Sequence, residues 1–213
     1  MQKKLVNTLS LIVMALTVSV SAQAVISHAP VAKATQENAL DDLDPRAENI
    51  DEILSEMDRQ YTLETGLPAF VAPKFSEAPK CRKFDCPLYA IVDKSTQTLK
   101  LYVRGSLEYT WLVSTGVAGH ETPNWEGHPN GRIYQAYSSK KYPGGDYKGL
   151  GNMPYAVFLF GGFAIHGTTV GNFAKLGKPA SHGCIRLHSE NGKIFNQLVR
   201  QFGVQNTWVS ITN

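Results

Sequence analysis

The chain has 213 residues, 43 % of them hydrophobic and 18 % charged, with a formal net charge of +3. Nucleic acid is one class of partner for a positively charged chain, but no recognition motif for it is present and the export signal described next argues against it. Internal repeats, low-complexity tracts, a pair of membrane spans and a phosphate-binding glycine loop are likewise absent, Gly149-Leu150-Gly151 being too little to make such a loop.

Residues 1–24 read as an export signal. Lys3 and Lys4 form a basic start, Leu5 to Val20 an apolar run, and Ala22-Gln23-Ala24 a small-residue cleavage site, so that the mature chain is expected to begin at Val25. Export would place the protein in the periplasm. Removing this segment takes away two lysines and no acid, leaving a formal charge of +1.

Residues 25–80 are read as an acidic, partly helical extension and 81–213 as one folded domain. Glu37 to Glu64 holds ten acidic residues against Arg46 and Arg59, whereas Thr65 to Asn213 holds sixteen Lys/Arg against eight Asp/Glu. The basic part suits a polyanionic partner. Within the acidic part, Ile50, Ile53, Leu54, Met57 and Tyr61 recur at helical spacing and predict a helix over 45–61, capped by Asp44 with Pro45 in the first turn. Its acids read as a solvated face.

Of three cysteines, Cys81 and Cys86 are the natural pair in an oxidising compartment, closing a short loop before the first strand; two free thiols fit that setting less well. Apolar and β-branched runs then predict a three-strand meander over 88–92, 98–103 and 107–114, with further strands at 132–137, 156–160, 163–166 and 207–211. Ile194, Phe195, Leu198, Val199 and Phe202 mark the inner face of a helix over 189–202, stopped by Gly203. The long stretch from Gly116 to Tyr155, rich in Gly, Pro, Asn and aromatic residues, reads as a binding loop or lid.

The chemistry concentrates in Phe163 to Leu187, FAIHGTTVGNFAKLGKPASHGCIRL. Cys184 is the cysteine left without a partner, Gly183 lets the chain turn sharply before it, and His166 ends an apolar strand that would hold an imidazole rigidly. A thiol, a base and the turn amides of His182, Gly183 and Cys184 are the parts needed for acyl transfer through a covalent intermediate. Taken singly, a lone Cys is a small buried hydrophobe and a lone His a satisfied one; the combination carries the reading. A zinc site made from His166, His182, Cys184 and His188 is the other use of these residues, against which stands the lack of any Cys-x-x-Cys pair.

His166, a spacer of about fifteen residues, and then Ser181-His182-Gly183-Cys184-Ile185-Arg186 resemble the signature of the L,D-transpeptidase (YkuD-type) family. The resemblance runs from about Leu88 to the C-terminus. It implies a mostly β fold with minor α, a β-sandwich with a short flanking helix, here preceded by the helical extension. It implies Cys184 as nucleophile, His166 as base, the Gly167 carbonyl as the group orienting that base, and Tyr155, Ser181 and Arg186 as substrate contacts, Tyr155 through the family-like Met153-Pro154-Tyr155. Tetrapeptide stems of peptidoglycan are the implied donor. The acceptor is another stem, an anchored lipoprotein, a D-amino acid or water, and no cofactor or metal is called for. A hydrolytic member of the fold and a non-catalytic wall-binding module remain as alternatives. Trp125 to Pro129 departs from the family, standing as an insertion between Thr122-Pro123-Asn124 and Asn130-Gly131-Arg132. The resting Cys184 is expected to be a thiolate near neutral pH, open to acylation by carbapenems.

Overall fold

The computed structural model describes residues 45–66, 68–69, 81–139 and 145–213. The expected export signal and the capping residue Asp44 lie outside them. The meander is present as β1 (Leu88–Asp93), β2 (Thr98–Val103) and β3 (Ser106–Ser114), paired antiparallel in sequence. Asp93 pins its first turn, accepting from the Ser95 amide at 2.9 Å, the Ser95 hydroxyl at 2.7 Å and the Thr96 amide at 3.2 Å, the local bonding that favours Asp before a turn.

Five more strands complete the sheet. These are β4 (Trp125–Gly127), β5 (Val157–Phe160), β6 (Phe163–Gly167), β7 (Ile185–Leu187) and β8 (Thr207–Thr212), in the order β4-β8-β1-β2-β3-β7-β6-β5. The pairs β1/β8 and β6/β7 are parallel, the rest antiparallel. At the two ends of that order Trp125 of β4 stacks on Phe160 of β5 with centroids 4.8 Å apart, so the mostly β sheet curls into a barrel-like form. Leu99, Leu101, Ile165, Ile185, Leu187, Val209 and Ile211 fill its core.

Two segments differ from the sequence expectation. Trp125 to Gly127, within the stretch read as a long loop, is an edge strand on β8. Residues 132–137, read as a strand, make a single bridge, Ile133 to Val157. The segment does bond along β5, with Phe158 N–H to Arg132 O at 3.0 Å and Tyr134 N–H to Ala156 O at 2.9 Å. Two of its carbonyls are taken by side chains of the second helix: Arg200 donates to Ile133 O at 2.7 Å and Asn196 to Tyr134 O at 2.9 Å. Those bonds satisfy the backbone without another strand.

That helix, α2 (Ser189–Phe202), lays Phe195 and Val199 into the core. Gly192 permits the contact, because a Cβ there would sit 2.7 Å from the Gly167 nitrogen. The first helix, α1 (Ile50–Thr65), begins five residues later than expected, with Asn49 at the cap and no side-chain capping bond; Pro45 and Arg46 form a turn before it. Ile50, Ile53 and Leu54 are buried against Tyr134, Tyr137, Phe158 and Ala164. One of its acids is not on a solvated face. Asp58 accepts from Arg132 at 3.1 Å and from the Tyr134 hydroxyl, and burial raises its carboxyl above the usual value despite Arg132. Cys81 and Cys86 are bridged, with Cα atoms 4.9 Å apart, beside Tyr89 and Trp208. No helix among the described residues is long and apolar enough to cross a membrane.

Candidate active site

Strands β6 and β7 lie side by side and parallel, with Ile165 opposite Ile185 and His166 opposite Arg186. Side chains alternate across a sheet, so the two isoleucines enter the main core while Ala164, His166, Cys184 and Arg186 share the other face. That face is the one α1 covers. Cys184, just ahead of β7, packs against the α1 cluster.

His166, Ser181, His182, Cys184 and Arg186 all line one cavity of about 50 Å³. His166 is 4 % exposed, and its Nδ1 is 2.6 Å from Gly167 O. A carbonyl only accepts, so Nδ1 carries the proton and the neutral ring keeps a lone pair on Nε2. The Gly167 peptide is itself fixed, its N–H donating to Pro154 O at 2.7 Å.

Ser181 braces the turn. Its hydroxyl donates to Cys184 O at 2.6 Å and accepts from the Gly183 amide at 3.1 Å. The expected substrate contact is therefore an internal strut, and the Gly183 amide, expected as an oxyanion donor, is already engaged. Gly183 has φ +120, and a Cβ there would meet Phe163 at 3.0 Å. Thr122 completes the bracing, accepting from Gly116 N–H at 3.0 Å and donating to Gly183 O at 2.6 Å. His182 packs edge-on to His120, ring centroids 5.2 Å apart, and burial, then Arg186, His120 and Lys175, lower its basicity.

Tyr155 goes elsewhere. With φ +58 it turns toward a separate depression lined by Lys193, Gln197 and Arg200, while Asn152 and Met153 reach the Cys184 cavity. The left-handed turn at Tyr155 reverses side-chain direction, which a sequence match cannot show. His188, a member of the zinc set, caps α2 by accepting from the Glu190 amide at 3.4 Å and packs on Phe173.

Electrostatics correct the expected thiolate. Burial pushes the Cys184 thiol up to about 11, outweighing the Ala164 amide, Arg186 and Arg46, and the thiol points at Gly162 O, 3.6 Å away. Burial pushes His166 down to about 3, with Gly167 O opposing and Arg186 adding to the effect. The resting pair is a neutral thiol and a neutral imidazole. Arg186 donates to Ala180 O at 2.8 Å and has no carboxylate partner among the described residues.

Two further walls of the cavity were not legible in the sequence. Pro45 belongs to the extension, over a hundred residues away; its carbonyl accepts from Gly162 N–H at 3.3 Å, and Arg46 beside it donates to Glu121 O at 2.5 Å and lies over the Phe163 ring. Neither has a periodic signal. Ser139 and Asn152 also line the cavity, and the only hint of them was the length of the loop that carries them.

Residues 87–211 match the family YkuD, described as the L,D-transpeptidase catalytic domain. Among solved structures, an L,D-transpeptidase from Mycobacterium tuberculosis H37Rv is 17 % identical with a TM-score of 0.50, over 60 % of this chain and 58 % of that one. One from Stackebrandtia nassauensis is 25 % identical with a TM-score of 0.49, over 66 % and 62 %. One from Mycobacterium smegmatis is 18 % identical with a TM-score of 0.49, over 60 % and 59 %. The chain thus spans about three fifths of the length of these structures. A search of curated proteins finds no match.

Proposed function

The chain belongs to the L,D-transpeptidase (YkuD) family, and from that premise we propose that it is a cysteine L,D-transpeptidase acting on peptidoglycan tetrapeptide stems through an acyl-enzyme thioester. The observation that carries the reading is the 2.6 Å bond from His166 Nδ1 to Gly167 O, which reserves Nε2 as a proton acceptor in the cavity that holds Cys184.

As the donor stem enters, the thiol gives up its bond to Gly162 O, Nε2 takes its proton, and Sγ attacks the carbonyl of the stem's third residue. The Cys184 amide and the Arg186 charge stabilise the oxyanion. Collapse breaks the bond to the terminal D-amino acid, whose amine leaves with the proton held by His166. An acceptor amine then attacks the thioester and regenerates the thiol. The positive charge of Arg186, and the basic balance of the chain beyond Thr65, favour a wall polymer rich in free carboxylates. The expected location is the periplasm, after removal of residues 1–24; an anchored lipoprotein and a free D-amino acid are the other acceptors the reading allows.

Incubating the protein with disaccharide-tetrapeptide and weighing the products tests this. Crosslinked or amine-exchanged stems are expected, as is a single carbapenem adduct at Cys184, both abolished by Cys184→Ala and slowed by His166→Ala. Tripeptide alone would make the enzyme a hydrolase. Unchanged tetrapeptide together with no adduct would overturn the proposal.

A further inference from the structure

Ser139 stands in the wall of the Cys184 cavity with its hydroxyl unspent. It is 5 % exposed, and Oγ has no hydrogen-bond partner among the described residues. Buried hydroxyls are nearly always paired, because an unpaired one forfeits its bonds to water and gains nothing in return. Such a group is open to a partner from outside the chain, an ordered water or the polar group of a ligand that displaces it.

The backbone at Ser139 is held as if to present that group. Asn152 accepts from the Ser139 amide at 2.9 Å and donates to its carbonyl at 2.7 Å, a two-bond clamp across the loop. Asp146 organises the return of the loop by accepting from the amides of Gly149 at 2.5 Å and Gly151 at 2.7 Å. With both backbone groups taken, the hydroxyl is the polar group Ser139 has left to offer to the cavity.

We propose that Ser139 is a substrate-binding residue, its hydroxyl pairing with a peptide-backbone group of the donor stem next to the carbonyl that Cys184 attacks. This rests on the transpeptidase reading. A hydroxyl both donates and accepts, so it suits an amide of either polarity and favours a peptide over an apolar ligand. The clamp fixes it in place before substrate arrives, which limits the ordering that binding requires.

Ser139→Ala separates this role from a structural one. The probe is disaccharide-tetrapeptide, read by its protection of Cys184 from iodoacetamide, alongside thermal denaturation of the free protein. Protection should need about three- to tenfold more tetrapeptide than in the unsubstituted protein, as for loss of one neutral hydrogen bond. Protection is scored in each protein against its own rate with iodoacetamide alone, and the denaturation midpoint should hold or rise, since the substitution deletes an unpaired buried polar atom. Equal protection in both proteins overturns the assignment, as does weaker protection with a lowered midpoint. If tetrapeptide fails to protect the unsubstituted protein, the assignment and the substrate reading fall together. If it protects without being turned over, catalysis is refuted while the Ser139 assignment is still decided.

Discussion

Acidification should weaken this protein through His166 in a way that can be isolated. The ring titrates near 6.5 when unfolded and at about 3 in the fold, where burial excludes its charged form. Between those values the unfolded chain binds the extra proton, so the stabilisation is complete above 6.5 and is lost as pH falls toward 3. At 1.36 kcal/mol for each pH unit, this one residue removes about 2 kcal/mol by about pH 5 and roughly 5 kcal/mol once both states are protonated. Carboxylates also contribute to acid unfolding, so the measurement is a difference. Urea denaturation of the unsubstituted protein and of His166→Asn, whose side-chain amide can donate to Gly167 O in place of Nδ1, is compared at neutral pH and near pH 5. The unsubstituted protein should lose about 2 kcal/mol more than the variant. Equal losses would show that the imidazole is not held neutral inside the fold, and would take with them the argument that Nε2 rests as an open base.

Gly192→Ala should cost about 1–3 kcal/mol and lower turnover, because the added methyl would stand 2.7 Å from the Gly167 nitrogen and must push α2 away from the strand bearing His166; an unshifted thermal midpoint would contradict it. Thr122→Val keeps the shape but severs the link from Gly116 N–H to Gly183 O. The expected destabilisation is about 1–3 kcal/mol, with a fall in carbapenem acylation rate larger than the fall in carbapenem affinity. Full acylation rate in a folded Thr122→Val protein would mean that the turn positions Cys184 unaided.

Elements built from local pattern are legible in the amino-acid sequence alone. Alternating Leu99 and Leu101, the Asp93 turn and the apolar stripe of Phe195 and Val199 each act within a few residues, and β1 to β3, β8 and α2 follow from them. The strands β4 and β7 have three residues each and exist because β8 and β6 lie alongside, a fact no short window contains. The helix α1 is visible by its period, but its start is not: Pro45 and Arg46 are held by Gly162 and Glu121, not by helix caps. In the site, the identities and spacing of His166 and Cys184 show which groups meet. How deeply they are buried is invisible in a motif, and burial is what converts the anticipated thiolate into a neutral pair. The engagement of Ser181 and Gly183 with each other is hidden for the same reason, since a motif names residues and not the partners of their atoms.

The docking of α1 also changes what counts as the smallest foldable piece. The family match begins at residue 87, yet Leu54 is completely buried and its helix lies over a cluster of rings in which Tyr134 meets Tyr61, Tyr137 and Phe158 within 4.6 to 5.8 Å. A fragment cut at the family boundary would carry that aromatic surface into water, where such patches drive self-association. It would also leave the Cys184 thiol facing solvent where Pro45 and Ala47 now stand. Transplanting residues 87–211 into another protein would therefore move a catalytic sequence without its roof, and the thiol would be expected to oxidise or alkylate readily in the graft.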